Sequence, residues 1–122
     1  MQGLNTLPGF MPNSPEKYAA LENAVNRLAS ESILATVGRD DGLVPAYSLV
    51  GELCELCSGD PALRAPLAAL LAALDKSLDT AQPFTEALLR QLRSTVEWLG
   101  PALEAARQGA TVPALPGAAP AP

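Results

Sequence analysis

Between residues 14 and 109 the apolar positions recur at alternating spacings of three and four, the period of an α-helix with one face turned inward. Tyr18, Leu21, Val25 and Leu28 form the first such stripe. Ser14-Pro15-Glu16 opens it. Ser14 offers a hydroxyl to an orphan backbone amide, Pro15 is pre-set for the first helical position, and Glu16 favours the positive end of the dipole. The helix is predicted to end near Val37, closed by Gly38 in the left-handed conformation.

Arg39-Asp40-Asp41-Gly42 is a polar turn, and a second helix is predicted from about Pro45. Leu49, Leu53 and Leu56 line one face, and Ala46, Val50, Cys54 and Cys57 an adjacent one. So wide an apolar arc implies deep burial. Ser58-Gly59 ends this helix, and Asp60-Pro61 repeats the cap-then-proline start. Leu63, Leu67, Leu70, Leu74 and Leu78 then carry a third helix to about Thr80. Pro66 lacks a backbone donor, so the helix is expected either to kink there or to begin there in earnest.

Gln82-Pro83 starts the last segment, whose stripe is Leu88, Leu92, Val96, Leu99, Leu103 and Ala106. Pro101 cannot donate to the carbonyl of Glu97, which predicts a bend between two helical pieces, and Gly109 marks the end. The expectation is an all-α fold, an antiparallel four- to five-helix bundle over 14–109, because short connections and one-sided stripes are best buried against neighbours in that way. On either side, 1–13 is an irregular leader broken by Pro and Gly. Residues 110–122 are a Pro/Ala-rich linker or tail, of the kind that joins a domain to more of a larger protein.

Composition agrees with helix: Ala and Leu dominate, and β-branched and aromatic residues are few. At 122 residues one domain is expected. Eight Lys and Arg stand against thirteen Asp and Glu, a net charge of −5 spread along the chain. That sign repels phosphate backbones and anionic lipid, so neither nucleic-acid binding nor membrane attachment is expected. The longest apolar run, 65–74, ends at Asp75-Lys76, too short for a membrane insertion. Residues 1–12 carry no basic segment before an apolar one, so a secretory signal is not expected and the cytoplasm is the expected compartment.

Candidate chemistry is sparse. Cys54-Glu55-Leu56-Cys57 has the spacing of a thiol redox pair or half a zinc site. Yet the pair falls in the last turn of its predicted helix, where the dipole opposes a thiolate, and the chain has no His and no further Cys to complete a zinc site. Two small core side chains are the favoured reading, with a redox or metal site as an alternative. The carboxylates Asp40-Asp41 and Asp75 with Asp79 suit solvated faces, and no glycine-rich phosphate loop occurs. The absence of His removes the commonest general base, so an enzyme is not expected, nor any cofactor. Trp98 lies beside the last stripe, either as an anchor for a partner or as a ring closing the flank. Glu86 with Arg90, and Arg93 with Glu97, are spaced four apart for ion pairing. Arg90, Arg93 and Trp98 are the candidate partner-binding residues.

Three stretches are similar to the histidine phosphotransfer domain of chemotaxis-type histidine kinases. Asn26-Arg27-Leu28-Ala29-Ser30 resembles the helix bearing that family's Arg-x-x-His. Ser48-Leu49-Val50-Gly51-Glu52-Leu53 resembles the helix after it, and 70–78, with Leu70, Leu71, Asp75 and Leu78, the next. Ser30 stands where the phosphorylated His would be, and Ser32-Ile33-Leu34 replaces the usual Lys-Gly. Serine forms no phosphoramidate, so the resemblance implies a degenerate module that docks a signalling partner without carrying the phosphoryl group. The expected function is therefore a non-enzymatic helical interaction module of a two-component or chemotaxis-type signalling protein, with another protein domain or itself as partner. Homo-oligomerisation through the Leu88 to Ala106 stripe is the alternative.

Overall fold

The computed structural model describes residues 15–115. The leader 1–13, the Ser14 cap and the end of the tail, 116–122, lie outside the described residues. Four helices make up the fold, with no strand among the described residues: α1 Pro15–Leu34, α2 Leu43–Leu56, α3 Pro61–Asp79 and α4 Glu86–Arg107. Each packs against two others, α1 on α2, α2 on α3, α3 on α4, and α4 back on α1. One core runs through the middle, built of Leu21, Leu28, Leu53, Leu67, Leu74 and Leu92 among others. Truncating any of these fully buried leucines to Ala would cost about 2–5 kcal/mol.

Helix boundaries differ from the sequence pattern where side chains or loops compete for the ends. α1 stops at Leu34, three residues before Val37. There Arg93 reaches across from α4, donating from Nε to the carbonyl of Ser32 and from Nη2 to that of Ala35, both at 3.1 Å. These bonds satisfy carbonyls that a continuing helix would otherwise have used. Beyond them the chain turns aside. Gly38 does hold a positive φ of 87°, but inside the loop rather than at the helix end. Its N–H bonds the carbonyl of Phe84, and the N–H of Phe84 bonds the carbonyl of Arg39, both at 2.8 Å. The loops 35–42 and 80–85 are thus clasped together over the buried Phe84 ring.

α2 begins at Leu43, so Pro45 occupies the third helical position, where its missing N–H is one of the orphans in any case. α3 begins at Pro61 and runs through Pro66 as one helix, without the restart that Pro66 suggested. Asp60 is its N-cap residue, but the side chain makes no capping bond; the carbonyl accepts from Leu63 and Arg64 instead. α4 starts at Glu86 rather than at Gln82-Pro83, because Thr85 is the true cap: its Oγ1 accepts from the N–H of Leu88 at 3.0 Å. It remains one helix through Pro101 to Arg107, so the described residues form four helices and not five.

Both α3 and α4 end in the same six-residue motif. After α4, Gly109 N–H bonds the Ala106 carbonyl and Ala110 N–H that of Ala105, with Gly109 at φ 74°. After α3, Ala81 N–H bonds the Leu78 carbonyl and Gln82 N–H that of Ser77, with Ala81 at φ 55°. This is the Schellman arrangement, which wants a left-handed residue just past the cap. At α4 that residue is glycine. At α3 it is alanine, the one non-glycine residue with positive φ among those described.

Candidate functional site

The leucine-rich stripe of α4 faces inward. Leu88, Leu92, Leu99 and Leu103 are buried, with Val96 and Ala106 packed beside them, so this face is spent within the chain's own core. What the helices leave outside is elsewhere. Ile33 is 76 % exposed, Leu34 75 %, Val37 50 % and Val44 64 %, all between the last turn of α1 and the first of α2. No other large apolar side chains among the described residues are so open. Their position arises from the helical period: Leu21, Leu28 and Ser32 carry the inward face of α1, and Ile33 and Leu34 fall on its back.

Ser30 shares that back. It is exposed, three and four residues before Ile33 and Leu34, so it lies one turn away on the same surface. Its hydroxyl donates to the carbonyl of Asn26 at 3.2 Å, the ordinary resting bond of a serine within a helix. The outer surface of α1 therefore presents Asn26, Arg27, Ser30, Ile33 and Leu34 together.

The three residues read from the sequence as partner contacts separate into different roles. Arg90 is exposed and pairs with Glu86 at 3.8 Å, worth a few tenths of a kcal/mol at such a site. Arg93 is engaged in closing α1 rather than in pairing four residues on. An open groove beside it, about 420 Å³, is lined by Val37, Glu86, Leu89, Arg90, Arg93 and Glu97, so Arg90 and the exposed Val37 share one rim. Trp98 is only 3 % exposed, and its indole N–H donates to the carbonyl of Pro113 at 2.7 Å. It is the ring closing the flank, not an open anchor. Val112 and Leu115, from the segment read as linker, pack against the core. Sequence reasoning missed this return of the chain; the signal available was the spaced pair Val112 and Leu115 within a run otherwise of Pro and Ala.

Cys54 and Cys57 are both buried free thiols. Burial pushes the Cys54 thiol up, against a smaller opposing pull from Arg64. Burial also raises Cys57, from 9.0 to about 11, with Lys17 opposing and Asp60 adding. Both shifts disfavour the thiolate that redox exchange and metal binding require. Of the described residues, no group of three or more His, Cys, Asp or Glu is gathered as a metal would need. No described helix is long and apolar enough to cross a membrane. The buried hydroxyls are satisfied locally, Ser32 by the Ala29 carbonyl and Thr95 by that of Gln91.

No protein-family model, curated protein or solved structure matches the chain.

Proposed function

We propose that the chain is a non-enzymatic interaction module, an antiparallel four-helix bundle that docks another protein domain on the outer face of α1. The observation that carries this reading is that Ile33, Leu34, Val37 and Val44, each at least half exposed, all fall between the last turn of α1 and the first turn of α2. Exposed large apolar side chains scattered singly need no explanation, but four within twelve residues concentrate exposed apolar surface at one helix junction, as a partner-covered surface would. Arg27 and Ser30 supply a polar margin. The antiparallel arrangement is supported by consecutive helices in contact across short connections.

The narrower form of the proposal is a degenerate phosphotransfer-like docking domain in a two-component or chemotaxis-type signalling protein. Its support is that Ser30, at the position of the missing His, is exposed beside Ile33 and Leu34. A docked signalling domain would then bind the apolar patch with no phosphoryl group exchanged. The test uses isothermal titration of the chain against phosphoacceptor receiver domains. Binding is expected to weaken at least tenfold, about 1.4 kcal/mol, in the Ile33→Asp/Leu34→Asp variant. Stable phosphorylation of any residue on incubation with acetyl phosphate or a cognate kinase would overturn the narrower form. Equal binding by the double variant would overturn the docking face itself.

A further inference from the structure

Trp98 sits about 120° around α4 from Leu92, off the inward stripe, and the helix alone would leave it at the border of the core. It lies on the flank away from Arg93 and Arg107, the residues through which α4 bonds α1. Its indole N–H donates to the chain that leaves the helix. The turn at Gly109 sends residues 110–115 back, and Pro113 brings its carbonyl to the indole N–H while Val112 and Leu115 settle on the core. This segment has no regular secondary structure.

We propose that the flank of α4 around Trp98 is a docking groove for extended, proline-containing apolar peptides, held in the resting chain by its own residues 111–115. The chemistry is that of polyproline recognition: an aromatic surface flanked by apolar contacts, with a donor aimed at a backbone carbonyl. A proline in the ligand lowers the entropy lost on binding, and the seated segment carries one between two apolar residues, Val112-Pro113-Ala114-Leu115. That pattern, apolar-Pro-x-apolar, defines the partner segment that fits. Displacement is feasible because the contacts seen to hold the segment are modest. Across residues 111–115 one hydrogen bond and two part-buried side chains are set against the ordering of five residues. Opening of such a terminal segment belongs to the low-energy end of local unfolding. The groove is on a different helix from the α1 face and does not depend on it.

Trp98 is the single tryptophan, so its fluorescence reports on the groove alone. The test compares the full chain with its Val112→Ser/Leu115→Ser variant, using a synthetic peptide of residues 110–115 as probe. In the variant, emission is expected to shift to the red and acrylamide quenching to rise several-fold, with helical circular dichroism unchanged. The peptide should reverse both changes saturably, and should bind the unaltered chain at least about tenfold more weakly because that groove is filled. Trp98 remaining shielded in the variant, or a peptide that fails to re-shield it at millimolar concentration, would overturn the proposal. Hydrogen exchange on the unaltered chain tests it without any substitution. The indole N–H is expected to exchange at least about tenfold faster than the backbone amides of Leu99 and Leu103, and equal rates would overturn it.

Discussion

Replacing Ala81 with glycine is expected to stabilise the protein by about 0.5–1 kcal/mol, although it removes a methyl group and loosens the unfolded chain. Ala81 holds φ 55° at the end of α3, where its Cβ crowds the backbone. For an L-residue that conformation costs roughly 1–2 kcal/mol, a cost glycine escapes. Against this, the glycine gives the unfolded chain about 0.4–1 kcal/mol of extra freedom. Ala81 is exposed, so little packing is lost with its methyl group. The net gain corresponds to a rise in melting temperature of about 3–6 °C for a domain of this size. Urea denaturation followed by circular dichroism and by Trp98 fluorescence measures it, as a higher midpoint with an unchanged slope. The mirror experiment is Gly109→Ala at the end of α4, where φ is 74° and an added Cβ would meet nothing within 4 Å. It should lose about 1 kcal/mol from conformation alone. If Ala81→Gly is neutral or destabilising at constant slope, the left-handed strain at Ala81 is not there, and the reasoning fails.

Removing the Arg93 guanidinium as Arg93→Met should destabilise by about 1–3 kcal/mol, with Arg93→Lys recovering less than half, because a lysine cannot span both the Ser32 and Ala35 carbonyls; thermal melts of the three proteins decide this. Thr85→Ala should cost about 1 kcal/mol and Thr85→Ser only a fraction of it, since the hydroxyl bond to the Leu88 N–H is what the cap contributes; urea midpoints check the order. Stability should fall as pH rises from 9 to 11, because the Cys57 thiol ionises near 9.0 when unfolded and at about 11 when folded. In that window the unfolded state holds fewer protons, so the contribution is full below pH 9 and is lost through the folded value. Denaturation at pH 8 and pH 10.5 should show the fall shrinking in Cys57→Ala, and an identical fall in that variant would assign it elsewhere.

The four helices are legible in the sequence because each stripe keeps one period and each start carries Pro or a capping residue. The ends that differ share one cause: a non-local competitor. Arg93 closes α1 from 58 residues away, and the pairing of Gly38 and Arg39 with Phe84 draws the loop aside; neither leaves a local trace. Pro66 and Pro101 look like breaks because a lone proline forfeits one backbone bond, yet burial of Leu63 and Leu67 around the first, and of Leu99 and Leu103 around the second, holds each helix through its loss. The buried state of Cys54 and Cys57 is readable from their shared face with Ala46 and Val50. The open corner is not, because Ile33 and Leu34 look like a continuation of the core pattern until α1 is seen to end beside them. The spacing does set Trp98 at the margin of its stripe, but its cover comes from a segment whose composition speaks only of a linker.

The packing of α4 against α1 has a kinetic side. The other helix pairs that pack together are neighbours in sequence and form by closing short loops, whereas this pair must bring together segments some 60 residues apart. Closure of the ring is therefore the step with the largest loop-closure cost. A chain reconnected between the ends of α1 and α4, and opened instead at Ser58-Gly59, would turn that distant pairing into a local one. Its native contacts would be kept while the order in which they form is changed.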